Sequence, residues 1–160
     1  MAWAAVTAAL ACRIEDRTPA GSRRDEAAIR AALRNYYAAL DARDWDACRA
    51  AFWRGATFSG LADPGDTARQ VASVPAESVF AALAADARRV PDSLDLQVVR
   101  TDLRQEGDLA AAWVLVRIRD RRDGAGPDEE AVEHLLLRRI AGEWRIATLA
   151  RTTRSAASRL

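Results

Sequence analysis

Residues 25–60 read DEAAIRAALRNYYAALDARDWDACRAAFWRGATFSG, and this stretch decides how the rest of the chain must be arranged. Ile29, Ala32, Leu33, Tyr36, Tyr37 and Leu40 recur at the spacing that gathers side chains on one face of a helix. Such a face has to be covered by another layer. Two tyrosines within it point to a wet or liganded space beside the helix, because a buried phenol needs a partner for its hydroxyl. Ser22 or Asp25 serves as cap, Asp25 and Glu26 place negative charge in the first turn, and the helix is expected to end near Asp41 to Arg43. Asp44 then caps a second, short helix that carries Trp45, Cys48 and Phe52 on one face, with Gly55 as its left-handed stop. Ala56 to Leu61 reads as the first strand.

Downstream, Ala62 to Val74 contains Pro64 and Gly65 and reads as a loop long enough to form a lid or the rim of a pocket. Pro75 suits the first turn of a third helix with Val79, Phe80, Leu83, Ala84 and Ala87 at helical spacing, stopped by Pro91. Four strands follow, Leu94 to Leu103, Leu109 to Arg121, Glu129 to Ile140 and Glu143 to Thr153. Glycines in Glu106-Gly107-Asp108 and Ala141-Gly142 mark hairpin turns, and Arg122 to Asp128 is a longer glycine-rich connection. The strands are therefore expected to form an antiparallel meander. In the second of them Val114, Val116 and Ile118 oppose Trp113 and Leu115, so both faces of the sheet carry apolar groups and need two coverings. The helices cover one face, and a second subunit is the simplest cover for the other.

The segment 1–24 lies outside this pattern. Met1 to Ala11 is apolar and too short to span a bilayer as a helix. With Cys12 it resembles the end of a bacterial secretory signal, Ala9-Leu10-Ala11-Cys12 being similar to a degenerate lipoprotein box in which the cysteine is lipidated. That resemblance implies export to the periplasm or a lipid-anchored state; the alternative is an apolar N-terminus on a cytoplasmic protein. Arg13 to Arg24 is charged, holds Pro19 and Gly21, and reads as a linker. The domain proper is expected over 25–154, followed by a flexible tail over 155–160.

Composition narrows the chemistry. At 160 residues the chain fits one domain, long enough to bury roughly two-thirds of its unfolded surface. All 24 basic residues are arginine, so lysine Schiff-base and lysine general-base chemistry are excluded. The formal net charge of +1 gives no field for nucleic acid, and a membrane partner is expected only through a lipid anchor at Cys12. Two cysteines, Cys12 and Cys48, and one histidine, His134, cannot build a disulfide framework or a Cys/His metal cluster, though a carboxylate-only site for a hard cation stays open. No cofactor is implied.

The order helix, short helix, strand, helix and four long strands resembles the nuclear transport factor 2-like fold. Tyr36-Tyr37-Ala38-Ala39-Leu40-Asp41-Ala42-Arg43-Asp44-Trp45-Asp46 with Phe52 and Gly55-Ala56-Thr57 is similar to the opening motif of its SnoaL-like and ketosteroid-isomerase-like members. Gly142-Glu143-Trp144-Arg145-Ile146 is similar to their closing hairpin. The resemblance implies an α+β fold of the cystatin-like kind, a curved antiparallel sheet wrapped around three N-terminal helices to form a cone-shaped pocket. Carried over from the ketosteroid isomerases, the oxyanion-hole tyrosine falls on Tyr36 and the protonated acid on Glu133. The catalytic base falls on Gly60, which cannot move a proton.

Tyr36 and Glu133 form a chemically sensible pair. A carboxyl group in an apolar pocket resists ionisation and can join a phenol in donating to a ligand oxygen. His134 follows Glu133 directly, and on a strand the two side chains face opposite sides, so only one of them sees the pocket. The other register would make His134 a general base, with Asp63 or Asp66 of the rim loop as helpers. The candidate catalytic residues are thus Tyr36, Glu133 and His134, and the candidate pocket lining is Tyr36, Tyr37, Phe58, Phe80, Trp113 and Glu133. The expected function is the binding of a small apolar or aromatic molecule without catalysis by a homodimer paired through its sheet. The alternative is a small isomerase, cyclase or dehydratase using Tyr36 with Glu133 or His134.

Overall fold

In the computed structural model the first helix, α1 (Arg23–Asp41), lies with Ile29, Leu33, Tyr36 and Tyr37 buried and Ala32 and Leu40 packed at the edge of the same cluster. The structure describes residues 23–60, 73–85, 94–120 and 129–154. The expectations for the N-terminal segment with Cys12, for most of the rim loop, for Arg122 to Asp128 and for the tail therefore lie outside the described residues. Asp25 in the first turn of α1 accepts from Arg139 Nη1 at 2.8 Å, tying the start of the helix to the sheet.

The end of α1 is a Schellman closure made without glycine. Arg43 adopts φ +56°, its N–H bonds the Leu40 carbonyl at 3.2 Å, and the Asp44 N–H bonds the Ala39 carbonyl at 2.9 Å. Asp44 then turns to the next helix, α2 (Trp45–Ala50), and its Oδ1 accepts from the Ala47 N–H at 2.9 Å. Helix α2 ends earlier than its sequence pattern implies. Phe52 begins strand β1 (Phe52–Ser59) instead of completing the helical face, because the Ala51 carbonyl accepts from the Ile146 N–H at 3.0 Å and draws the chain into the sheet. Gly55, expected as the helix stop, has φ +87° within β1, where the pairing with the last strand shifts register between Phe52 and Thr57.

A further short strand, β2 (Ser73–Pro75), occupies the stretch whose sequence pattern implies the end of a loop and the start of a helix. It pairs antiparallel with β1 at the edge of the sheet, a place where a proline that cannot donate to the ladder is tolerated. Helix α3 (Ala76–Ala85) follows at once and buries Phe80. The remaining strands are β3 (Leu94–Glu106), β4 (Leu109–Asp120), β5 (Glu129–Ile140) and β6 (Glu143–Arg154), close to their expected bounds.

The six strands form one curved sheet in the order β2-β1-β6-β5-β4-β3, antiparallel except that β1 runs parallel to β6. Register shifts between Val98 and Arg100 on β3 and between Leu136 and Leu137 on β5 add residues on one strand only, which bends the sheet. The inner face presents Ala110, Ala112, Val114 and Val116 from β4 and Ala131, Leu135 and Leu137 from β5 to the helices. A single α+β layer pair results, with the three helices of the described residues packed on the inner face of the sheet.

Candidate functional site

Strict alternation along β5 decides which of Glu133 and His134 faces inward. Ala131, Glu133, Leu135 and Leu137 are buried while Val132, His134 and Leu136 lie on the other face, so Glu133 is 3% exposed beneath α1. A carboxyl group there needs donors. The Tyr37 hydroxyl donates to Glu133 Oε2 at 2.7 Å, and Arg151 Nη1, from the paired position on β6, stands 3.8 Å from Oε1. Burial raises the Glu133 pKa above its usual value, opposed by the Tyr37 hydrogen bond and the Arg151 charge. Both phenols are driven further from ionisation, first by burial and then by the charge of Glu133. The arrangement holds one buried carboxyl group between a phenol donor and a guanidinium, with burial favouring its neutral form and both partners favouring its charged one.

Glu133 and Arg151 open onto a cavity of about 560 Å³. Its wall comes from α1 through Tyr36 and Leu40, from β1 through Phe58, from α3 through Phe80 and Leu83, and from β6 through Leu149. Phe52, Phe58 and Phe80 form an aromatic cluster at its base, with ring centroids 5.0 to 5.6 Å apart. Tyr36 lies on this wall with its ring 5.0 Å from that of Tyr37, and it makes no hydrogen bond among the described residues. Successive helical residues are about 100° apart, so two neighbouring tyrosines cannot play one role. The pairing inferred from the resemblance, Tyr36 with Glu133, is made in the structure by Tyr37, and Tyr36 faces the cavity.

The other sequence candidates divide cleanly. Phe58, Phe80 and Glu133 line the cavity, whereas Trp113 and His134 occupy the opposite face of the sheet. Trp113 is 54% exposed, and its ring stacks on His134 with centroids 4.3 Å apart, so neither reaches the cavity in this register. The pairing of Val114 with Glu133 and of Trp113 with His134 gives the reason, since adjacent residues of a strand point to opposite sides. Asp63 and Asp66 lie outside the described residues. Arg151 was missed by sequence reasoning. Its signal was present, because Leu149 and Arg151 alternate on β6, but a single arginine on a terminal strand cannot be assigned a face until the strand has a register.

Gly60, onto which the resemblance carries the isomerase base, has φ +73°, and a Cβ added there would overlap the Arg151 carbonyl. That position is closed to a side chain of any kind. Among the described residues no group of three or more His, Cys, Asp and Glu side chains could hold a metal ion, and no helix is long and apolar enough to cross a membrane. Cys48 is buried, and burial pushes its thiol up to about 11, the behaviour of a packing residue more than of a nucleophile. A second cleft of about 550 Å³ lies between α2, β1 and the start of α3. It is lined by Arg49 and Arg145, which are already paired with Asp46 and Glu143, and it holds no buried ionisable group.

Comparison with known proteins agrees with this fold. No protein of curated function matches the sequence. Among solved structures, a nuclear transport factor 2-like protein with a cystatin-like fold from Novosphingobium aromaticivorans superposes with a TM-score of 0.68 at 18% identity, over 85% of this chain and 87% of that one. A ketosteroid isomerase-like protein from Erwinia carotovora atroseptica gives 0.62 at 18%, over 84% and 99%. The S. rosetta CaMKII hub gives 0.67 at 16%, over 86% and 100%. At these identities the likeness is one of fold. The model of the SnoaL-like domain matches residues 22–150, from just before α1 to the outer part of β6, and the chain belongs to that nuclear transport factor 2-like family.

Proposed function

We propose that this chain binds a small, mostly apolar molecule in the cavity between α1, α3 and the sheet. The observation that carries the reading is a cavity of about 560 Å³ with an aromatic and aliphatic wall and one buried carboxyl group, Glu133, at its edge. Its size falls in the range of small-molecule sites, and a few polar groups in a largely apolar wall are what orient such ligands. Binding without turnover is favoured because the base position of the isomerases is occupied by Gly60, hard against the Arg151 carbonyl. The test is native mass spectrometry of the freshly purified chain, together with displacement of an apolar fluorescent probe. A noncovalent molecule lost on denaturation, and probe binding abolished by Leu83→Trp in a folded protein, support the reading. Probe binding unchanged by that filled cavity overturns it.

A second reading has its own observation. Glu133 is buried, receives the Tyr37 hydroxyl at 2.7 Å and lines the cavity, which is the setting of a carboxyl group able to exchange a proton with a ligand. An isomerase, cyclase or dehydratase would use it in that role, with Tyr36 as a hydrogen-bond donor. In that case Glu133→Gln abolishes turnover while leaving ligand affinity largely intact. The outer face of the sheet, with Trp113, His134 and the apolar residues around them, is proposed as the surface that a second copy of the chain covers.

A further inference from the structure

Arg151 is the unusual member of the cavity wall. Its side chain is 26% exposed, and among the described residues its one ion pair, to Glu133 Oε1, is 3.8 Å long, too far for a hydrogen bond. A guanidinium offers five N–H donors in a planar fork that matches a carboxylate. Here that fork sits at the edge of an apolar cavity beside a loosely held counter-charge. Glu133 in turn has Oε2 committed to Tyr37 and, among the described residues, only Arg151 beside Oε1. The charged end of the cavity is therefore a guanidinium with one carboxyl group beside it, and apart from Tyr36 and Ser78 the rest of the described lining is apolar.

We propose that the ligand is an amphipathic monocarboxylic acid whose carboxylate seats on Arg151 and against Glu133 while its apolar body lies along Phe58, Phe80, Leu83 and Leu149. The inference rests on the cavity-binding reading and names the ligand class for it. Two carboxylates beside one guanidinium would leave an uncompensated negative charge in a poorly solvated space. The conflict is removed by one proton from solvent, taken up by Glu133, which then donates through Oε1 to the ligand carboxylate while Oε2 keeps the Tyr37 bond. Burial already biases Glu133 toward that neutral form. Among the described residues, the titratable or charged groups facing Glu133 are Tyr36 and Tyr37 from α1 and Arg151 from β6. The facing residue of β4 is Val114, and α3 adds only uncharged groups to the wall. An amine would meet Arg151 as a like charge, and a neutral amide would offer the guanidinium one uncharged carbonyl acceptor in place of a charged, two-oxygen partner.

The test is calorimetric titration of the full chain with octanoate, octanamide and octylamine in two buffers of different ionisation enthalpy. Octanoate is expected to bind about ten-fold or more tightly than either analogue, the scale of one hydrogen-bonded charge pair. Uptake of about one proton should accompany it near neutral pH. Arg151→Gln should erase the preference for the acid over the amide. Should that variant not fold, Glu133→Gln decides, because it is expected to bind octanoate without proton uptake. Octanamide or octylamine binding as tightly as octanoate overturns the acid assignment and leaves the cavity reading standing. Proton uptake persisting in Glu133→Gln overturns the role given to Glu133. Failure of all three probes to bind the wild-type chain overturns the cavity reading itself, and this inference with it.

Discussion

The Tyr37 hydroxyl donates to Glu133 Oε2 at 2.7 Å across 96 residues of sequence, joining the first helix to the middle of β5. The contact fixes the rotation of α1 over the sheet, because only one helical face can present Tyr37 to β5 and Tyr36 to the cavity. Replacing Tyr37 by Phe removes the donor and leaves a buried carboxyl group short of a partner. The expected loss is about 1–3 kcal/mol in chemical denaturation at neutral pH. Tyr36→Phe should cost less than about 1 kcal/mol, since that hydroxyl has no partner to lose among the described residues, and its effect should appear in ligand affinity or turnover.

Glu133 also makes stability depend on pH in a definite direction. Its pKa in the folded chain is raised from the ordinary value of 4.5, so between that value and the folded one the native state holds more protons than the unfolded state. Stability must then fall as pH rises through this window. Glu133→Gln keeps an acceptor for Tyr37 and removes the ionisation. Its denaturation midpoint should lose this contribution to the pH slope above about pH 4.5, and a slope unchanged from wild type would show that Glu133 is not the group responsible.

Gly60 is required twice over, by its positive φ and by the Arg151 carbonyl against it. Gly60→Ala should destabilise the fold by about 2 kcal/mol or more, because β1 and β6 must separate locally to admit the methyl group. Gly60→Asp, which would restore an acid at the isomerase position, should fold worse still and gain no activity. Thermal melts of the two variants check the order.

Trp113 stacks on His134 on the outer face, away from the cavity. If a second copy covers that face, Trp113→Glu should shift the chain from dimer to monomer in light scattering. Its fold should be retained, with any change in monomer stability within about 0.5 kcal/mol, the usual range for a surface position. Ligand binding should persist, since the cavity lies on the other side of the sheet.

The export reading of the first 24 residues predicts a covalent mark. Expressed with its own N-terminus in a bacterial host, the chain should be recovered starting at a diacylated Cys12, and Cys12→Ala should abolish the lipid mass. A full-length, unmodified chain in the cytoplasm would retire the lipoprotein reading.

Local chemistry fixed much of this molecule before any tertiary contact. The apolar spacing from Ile29 to Leu40 determined α1, Asp44 determined the start of α2, and the glycine turns at Gly107 and Gly142 determined the hairpins, because each depends on residues within one turn or one loop. Sheet pairing decided the rest. Phe52 has the spacing of a helical residue and became a strand residue because Ala51 bonds to Ile146, far along the chain. Tyr36 and Tyr37 are equivalent as sequence, and only the docking of α1 on β5 gave one to Glu133 and the other to the cavity. Arg151 became a cavity residue through its pairing with Glu133, a register that no local pattern encodes. Helix faces follow from a period of 3.6 residues, whereas the choice between two adjacent strand residues turns on a one-residue shift of register, and that is settled by contacts distant in sequence.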